Sequence, residues 1–471
     1  MSATWFGARL RLRGGATTRA TTTMADQCVA SASNFAVGIV VARISGPAGL
    51  GAFALAYAVW VLLTTIHRSL ITAPMTIMGD LRGTEEEEFI RLGFAADVVL
   101  GVMATCIIAA VGAALLVVGQ HAFGVGVLSL APWVLVLDLQ DYWRQVGFIQ
   151  GTPRKSLMND LLFNAVQALA FGVVFLAGLH SVFAVVSAWG VGAAIAAIYG
   201  LRQFSVRPSL RGGTAYLWSH WPTSRWLASE RVASWAGAQL YLILAGVLLG
   251  PAALGGLKAA QGLVIGPTTV VVNAGGSFGL PEASRKLAEH GWTGMARVSR
   301  LVTGAGVLVA TAVAIAVLVA APILIKLLYG PTFVVYAPSA RIFAVSIVIL
   351  AFGVGPILNV TATRRLRPLF VVQLGTLVLS VVAVCVLTPT FGVTGAAWAN
   401  LLTSVATVAA MFILQSSVRR SVEGGQRRPA GHLLIAARRR LVRNTEILLV
   451  LPPADDPTAG RPSRVSSEQP S

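Results

Sequence analysis

Twelve apolar runs, each long enough to cross a bilayer, follow one another along this chain, and no other feature restricts its fold as strongly. About 20 apolar residues in a helix span the roughly 30 Å hydrocarbon core. That medium offers no water, so the backbone must bond to itself, as a helix does. The runs are 24–45, 50–78, 93–119, 125–150, 157–178, 182–203, 231–250, 254–279, 298–328, 338–363, 368–389 and 393–415. Charged residues make up only 11% of the chain and hydrophobic ones 56%, against about 25% charged in a soluble domain. The expected fold class is an all-α membrane protein with twelve transmembrane helices.

The net charge of +18 is distributed by topology. Arg9, Arg11, Arg13 and Arg19 precede the first run, and Arg82 and Arg91, Arg154 and Lys155, Arg202 to Arg225, Arg285 to Arg297, and Arg364 to Arg367 follow alternate ones. The intervening loops hold almost no cations. Basic loops mark the cytoplasmic side, so both termini are expected inside. No basic stretch is long enough to fold alone, which argues against a nucleic-acid partner. The expected organisation is a basic leader over 1–23, helical lobes over 24–203 and 231–418, a cytoplasmic linker over 204–230, and a basic tail over 419–471. Within the tail, 432–451 reads as an interfacial helix on anionic lipid or, equally, a solvated basic helix. Beyond Pro452-Pro453 the composition is that of disorder. Cys28, Cys106 and Cys385 are scattered through apolar runs and form no disulfide or metal framework.

The two lobes are expected to be a duplication. Gly46-Pro47-Ala48-Gly49-Leu50-Gly51 returns 204 residues later as Gly250-Pro251-Ala252-Ala253-Leu254-Gly255, and Val29-Ala30-Ser31 returns as Val232-Ala233-Ser234. Each turn joins the first two runs of its half. Six runs per half give both halves one orientation, a parallel pseudo-twofold repeat.

Several short motifs share this frame: Asn34-Phe35, Val41-Ala42-Arg43, the turn 46–51 with Phe53, Leu328-Tyr329-Gly330-Pro331-Thr332-Phe333, and Phe391-Gly392-Val393-Thr394-Gly395-Ala396-Ala397. In order and placement over residues 24–418 they resemble the polysaccharide-type flippases of the multidrug/oligosaccharidyl-lipid/polysaccharide exporter superfamily. The resemblance implies two six-helix lobes around a central cavity in a bacterial cell membrane. It further implies movement of undecaprenyl-pyrophosphate-linked sugars to the outer leaflet for cell-surface polysaccharide synthesis. Drug exporters and peptidoglycan-precursor flippases belong to the same superfamily.

Ionisable groups within a membrane span are costly and mark candidate sites. Arg43, Lys258, Lys326 and Arg341 fall toward the outer ends of their runs, where snorkelling to the headgroups competes with lining an anion-attracting cavity. Arg43 and Lys258 lie near the matched turns. Arg68 sits deep in the second run, placed for the cavity or for an internal ion pair. Asp97, Asp138 and Asp141 are candidate ion-coupling carboxylates. Asp138, Asp141 and Gln145 share one helix face, and Asp141 can also pair with Arg144. The mid-run amides Asn34, Asn164, Gln261, Asn273, Asn359 and Asn400 offer the donors and acceptors that sugar hydroxyls require. Interhelical hydrogen bonding is the competing role. Substrate contacts are thus expected at Arg43, Arg68, Lys258, Arg341, Asn34, Gln261, Asn273 and Asn359, with hinges at Pro74, Pro267 and Pro356.

No HExxH, GxxxxGK[ST], strand-flanked GxGxxG or Cys/His cluster is present, so no enzyme, cofactor or metal centre is expected. The six histidines are isolated in sequence, and Glu85–Glu88 reads as a solvated cytoplasmic loop. The expected function is a flippase for a lipid-linked oligosaccharide, working by alternating access, with membrane lipids and polysaccharide-assembly proteins as partners. A cation-coupled drug exporter and a membrane polymerase or ligase remain as alternatives.

Overall fold

The computed structural model describes residues 3–77, 84–204, 209–274, 279–363 and 366–426, and every regular element among them is a helix. Residues Met1–Val418 form one compact unit and Arg419–Ser471 a second. The amphipathic stretch expected at 432–451 lies outside the described residues, as do 364 and 365 in the expected basic loop.

Helix α1 runs Ala3–His67 and passes through a π-helical segment, Arg68–Thr72, into the short α2, Ala73–Ile77. Then come α3 (Thr84–Val117), α4 (His121–Leu130), a 3-10 turn (Ala131–Trp133), α5 (Val134–Ile149), α6 (Pro153–Leu176) and α7 (Val182–Gln203). The remainder comprises α8 (Gly213–Leu249), α9 (Pro251–Ala274), α10 (Leu280–Leu328), a 3-10 segment (Pro331–Tyr336), α11 (Ala337–Ala362) and α12 (Leu366–Gln426).

Nine helices among the described residues are long and apolar enough to cross a membrane, one covering 47 residues from Val29 to Met75 and one 55 residues from Pro368 to Val422. At about 1.5 Å per residue either exceeds two hydrocarbon thicknesses, and each is broken at a glycine. Gly46 (φ 65°, ψ −170°) breaks the first and Gly392 (φ 60°, ψ −139°) the second. Only glycine adopts such dihedrals without strain. Both breaks fall where the apolar pattern places a turn.

Helices start earlier than the apolar runs at four places, and one expectation needs correction. The acidic run Glu85–Glu88 is the first turn of α3 rather than a loop, where carboxylates favour the positive end of the helix dipole. Most of the expected linker is helical, since α8 begins at Gly213. Its early turns carry exposed Trp218, Trp221 and Trp226. The ninth run is the second part of a longer helix that starts at Leu280 and breaks at Gly291. α1 also begins at Ala3, so the leader continues the first run as helix.

Small residues line the helix contacts: Ala42, Ala56, Ala193, Ala260, Ala340 and Ala397 are all at most 2% exposed. Large apolar side chains such as Leu176, Leu169, Leu308, Val319 and Ile413 point outward. This suits lipid, where close backbone approach drives packing and apolar surface needs no cover. The tightest approach joins the two matched turns. A β-carbon on Gly51 would overlap the Pro251 carbonyl, and one on Gly255 the Pro47 carbonyl. The contact is reciprocal, and no residue but glycine fits at either position.

Candidate functional site

The end of α1 is built to deviate. Thr65 and Ser69 donate their hydroxyls to the carbonyls of Val61 and Thr65, at 2.7 Å each, bonds that bend helices. Pro74 then leaves a carbonyl one turn earlier without its donor. The helix widens to a π-turn over Arg68–Thr72, a form concentrated at functional positions. As a result His67 and Arg68 address two different carboxylates of α5.

Arg68 grips Asp141 with two nitrogens, Nε lying 2.7 Å from Oδ2. The sequence allowed Asp141 to pair with Arg144 on its own helix. Instead Arg144 Nε reaches Asp160 on α6 at 2.8 Å, because the rotation that turns Asp141 toward the π-segment turns Arg144 toward α6. Gln140 donates to Asp160 at 3.0 Å and to Asn159 at 3.2 Å, and Asn159 donates to the Ala196 carbonyl of α7 at 2.8 Å. One polar network therefore ties α1, α5, α6 and α7 together.

His67 is not isolated. Its Nδ1 lies 3.3 Å from Asp97 on α3 and 3.3 Å from Asp138 on α5, and Thr64 donates to Asp138 at 3.4 Å. All three ionisable residues are at most 6% exposed. The same helices α3 and α5 contribute to an aromatic layer, with Phe94, Trp143 and Phe204 in a stack at 5.6 Å centroid spacings. Tyr142 and Tyr216 belong to the same layer.

Two cavities open elsewhere. One, about 430 Å³, lies between α1 and α6. Ser33, Asn164, Gln167 and Arg43 supply its polar groups, and Val40 and Phe171 belong to its apolar wall. Ser33 and Asn164 are hydrogen-bonded to each other, and Asn164 donates to the Asp160 carbonyl at 2.7 Å. The other, about 340 Å³, is lined by α10, α11 and α12 and presents Ser299, Arg300, Thr303, Asn359 and Gln415. Asn359 is 2% exposed, and its Oδ1 has no hydrogen-bond partner among the described residues.

The expected contact residues are thus dispersed. Arg43 donates Nε to the Leu328 carbonyl at 2.8 Å and also reaches Leu327, so it caps the C-terminus of α10 at the rim of the first cavity. Carbonyl ends of helices attract cations. Arg341 is exposed and donates to the Leu318 carbonyl at 3.1 Å. Half-buried Lys258 lies 5.9 Å from the Tyr57 ring centroid. Gln261 donates to the Tyr241 hydroxyl, while Asn34 is exposed. The Asn273 side chain lies outside the described residues. Pro74 closes the π-segment, whereas α9 and α11 run on through Pro267 and Pro356. His67, Gln140, Asn159 and Arg144 escaped sequence reasoning as a set. The single available signal was a histidine and an arginine side by side inside an apolar run.

Residues 40–338 match the family described as polysaccharide biosynthesis protein. No curated protein matches the sequence. Among solved structures, the chain is similar to an inward-facing multidrug resistance MATE family transporter of the MOP superfamily, with a TM-score of 0.68 and 12% identity over 84% of this chain and 95% of that one. It is also similar to the lipid II flippase MurJ in an inward closed conformation, with a TM-score of 0.64 and 10% identity over 84% of this chain and 87% of the other. A MOP superfamily transporter from Pyrococcus furiosus, titled for the reverse polarity of its binding pocket, aligns with a TM-score of 0.59 and 13% identity over 86% of this chain and 95% of its own. At such identities the likeness is one of fold.

Proposed function

The chain belongs to the polysaccharide biosynthesis protein family, and from that premise we propose that it is a flippase carrying a lipid-linked oligosaccharide from the inner to the outer leaflet. Twelve passes in two six-helix lobes would set a polar path between them. Both termini would face the cytoplasm of a bacterial cell. The substrate would be a prenyl pyrophosphate bearing sugars, whose hydrated headgroup cannot enter hydrocarbon unaided.

The observation that carries this reading is the cavity between α1 and α6, where apolar walls meet an amide and hydroxyl strip beside an arginine. That mixture suits a molecule with a hydrocarbon tail, neutral hydroxyls and an anionic junction. The cavity among α10, α11 and α12 adds a buried amide oxygen with no partner of its own. The reciprocal contact of Gly51 and Gly255 supports this reading, since it would give the two lobes a seam on which to close. Opening there and closing at the opposite end is the alternation that carriers of this build use. An inside-negative potential favours outward movement of anions by about 2.3 kcal/mol per charge per 100 mV, so about 4–5 kcal/mol for a pyrophosphate.

Purified protein in vesicles tests this directly. A lipid-linked oligosaccharide loaded on the inner leaflet should become accessible to an added glycosidase only when the protein is present. Export of a cationic dye without glycan exposure would replace the flippase by a drug exporter. Lengthening of the glycan instead of its transfer would make the protein a polymerase.

A further inference from the structure

We propose that His67, Asp97 and Asp138 form a proton-binding site enclosed within the first half of the molecule, and that its occupancy drives transport. The site stands on geometry alone. Its role in transport rests on the flippase reading.

Charge balance comes first. Four carboxylates are buried in this region: Asp97, Asp138, Asp141 and Asp160. Asp141 is neutralised by Arg68 and Asp160 by Arg144. That leaves Asp97 and Asp138 with His67 between them, at 3.3 Å from each. Among the described residues no lysine or arginine is paired with either acid. A charged imidazole would still leave one uncompensated negative charge, and a neutral one would leave two. Carboxylates this close and this buried cannot all stay ionised, so the site takes up a cation.

The neighbours do not supply it. Asp141 and Arg68 satisfy each other on α5 and the π-segment, and Arg144 and Asp160 do so across α5 and α6. Tyr142 on α5 donates its hydroxyl to the Ile90 carbonyl at 2.5 Å. Tyr216 on α8 donates to Ile71 at 2.9 Å, and His220 contacts the Tyr216 carbonyl at 2.9 Å. Tyr57 lies farther along α1, facing Lys258. Meanwhile Nδ1 of His67 and one oxygen each of Asp97 and Asp138 are buried without a hydrogen-bond partner.

A proton suits this trio better than a metal ion. Hard cations collect several oxygen ligands, and here a nitrogen base sits between the oxygens. Among the described residues no group of three His, Cys, Asp or Glu is arranged to hold a metal ion. A single proton added to the trio converts one near-contact into a hydrogen bond. The three residues come from α1, α3 and α5, and His67 adjoins the π-segment that leads to Pro74. Gain or loss of the proton therefore acts where the backbone already departs from the α-helix.

The test is infrared difference spectroscopy of the purified full-length protein during a pH change. A buried protonated-carboxyl band should appear on acidification, shift when the aspartates carry carbon-13, and stay unchanged when sodium replaces potassium at constant pH. The isotope shift needs no substitution, so it holds even if a variant misfolds. Asp138→Asn should remove the band, and His67→Gln should move its midpoint. No titrating carboxyl band overturns the site, and so does a band that sodium displaces or one that survives both Asp97→Asn and Asp138→Asn. In vesicles, an imposed pH gradient should accelerate glycan exposure by the wild type but not by Asp138→Asn. Equal acceleration of both refutes the coupling. Absence of any glycan exposure alongside a titrating band would refute the flippase reading and leave the proton site standing.

Discussion

The first half of the molecule, α1 to α7, and the second, α8 to α12, open with nearly the same turn and bury quite different interiors. His67, Asp97, Asp138, Asp141 and Asp160 are buried in the first half. Among the described residues beyond α7, no Asp, Glu, Lys or Arg is buried. Several buried hydroxyls of the second half bond within their own helices: Thr268 to Val264, Ser346 to Ile342, Ser404 to Asn400. The first half pairs its buried charges across helices, Arg68 to Asp141 and Arg144 to Asp160. Bonds of the first kind leave helices free to slide on apolar contacts. Bonds of the second kind fix register, since a displaced helix strands a buried charge. Buried ion pairs therefore fix helix register in the first half, and none does so among the described residues of the second.

Removing a charge is the strongest way to break this contrast. Arg144→Gln leaves Asp160 buried without its cation and should cost about 3–5 kcal/mol, read as a large fall in the thermal midpoint of purified protein. Arg341→Gln, exposed in the second half, should leave that midpoint unchanged. Equal effects would show that buried charge does not distinguish the halves.

What the sequence made legible follows the same division. Turns were readable because glycine and proline act on their own backbone, and Gly46, Pro47, Gly250 and Pro251 fall where the chain reverses. The apolar runs were readable because lipid selects composition directly. The first-half network was not, because it depends on helix rotation: Asp141 had two arginines within reach on paper, and only the π-turn decides between them.

The seam is where the halves ought to agree. Gly51→Val and Gly255→Val should destabilise the closed seam about equally, by about 1–3 kcal/mol, and raise the labelling of nearby introduced cysteines by a thiol reagent. A marked inequality would show that the reciprocal contact is not shared evenly. Smaller again is the effect of Asn359→Ala. If its amide serves a ligand, glycan affinity should fall about threefold to tenfold, the worth of one neutral hydrogen bond at about 0.5–1.5 kcal/mol, with little change in stability. A stability loss without an affinity loss would make it a packing residue. Smallest is Arg285→Gln. Its bonds to Glu282 and Glu289 are exposed, and surface pairs contribute little, so the thermal midpoint should not move measurably.

Alternating closure of the seam between the matched turns is most directly tested by locking it. Ala48 and Ala252 are exposed beside the contact, and with the native cysteines replaced, Ala48→Cys with Ala252→Cys permits a reducible cross-link by a short bifunctional reagent. Cross-linked protein in vesicles should expose no glycan, and reduction should restore the rate of the uncross-linked protein. Glycan exposure at an undiminished rate with the seam locked would contradict movement of the two halves against each other.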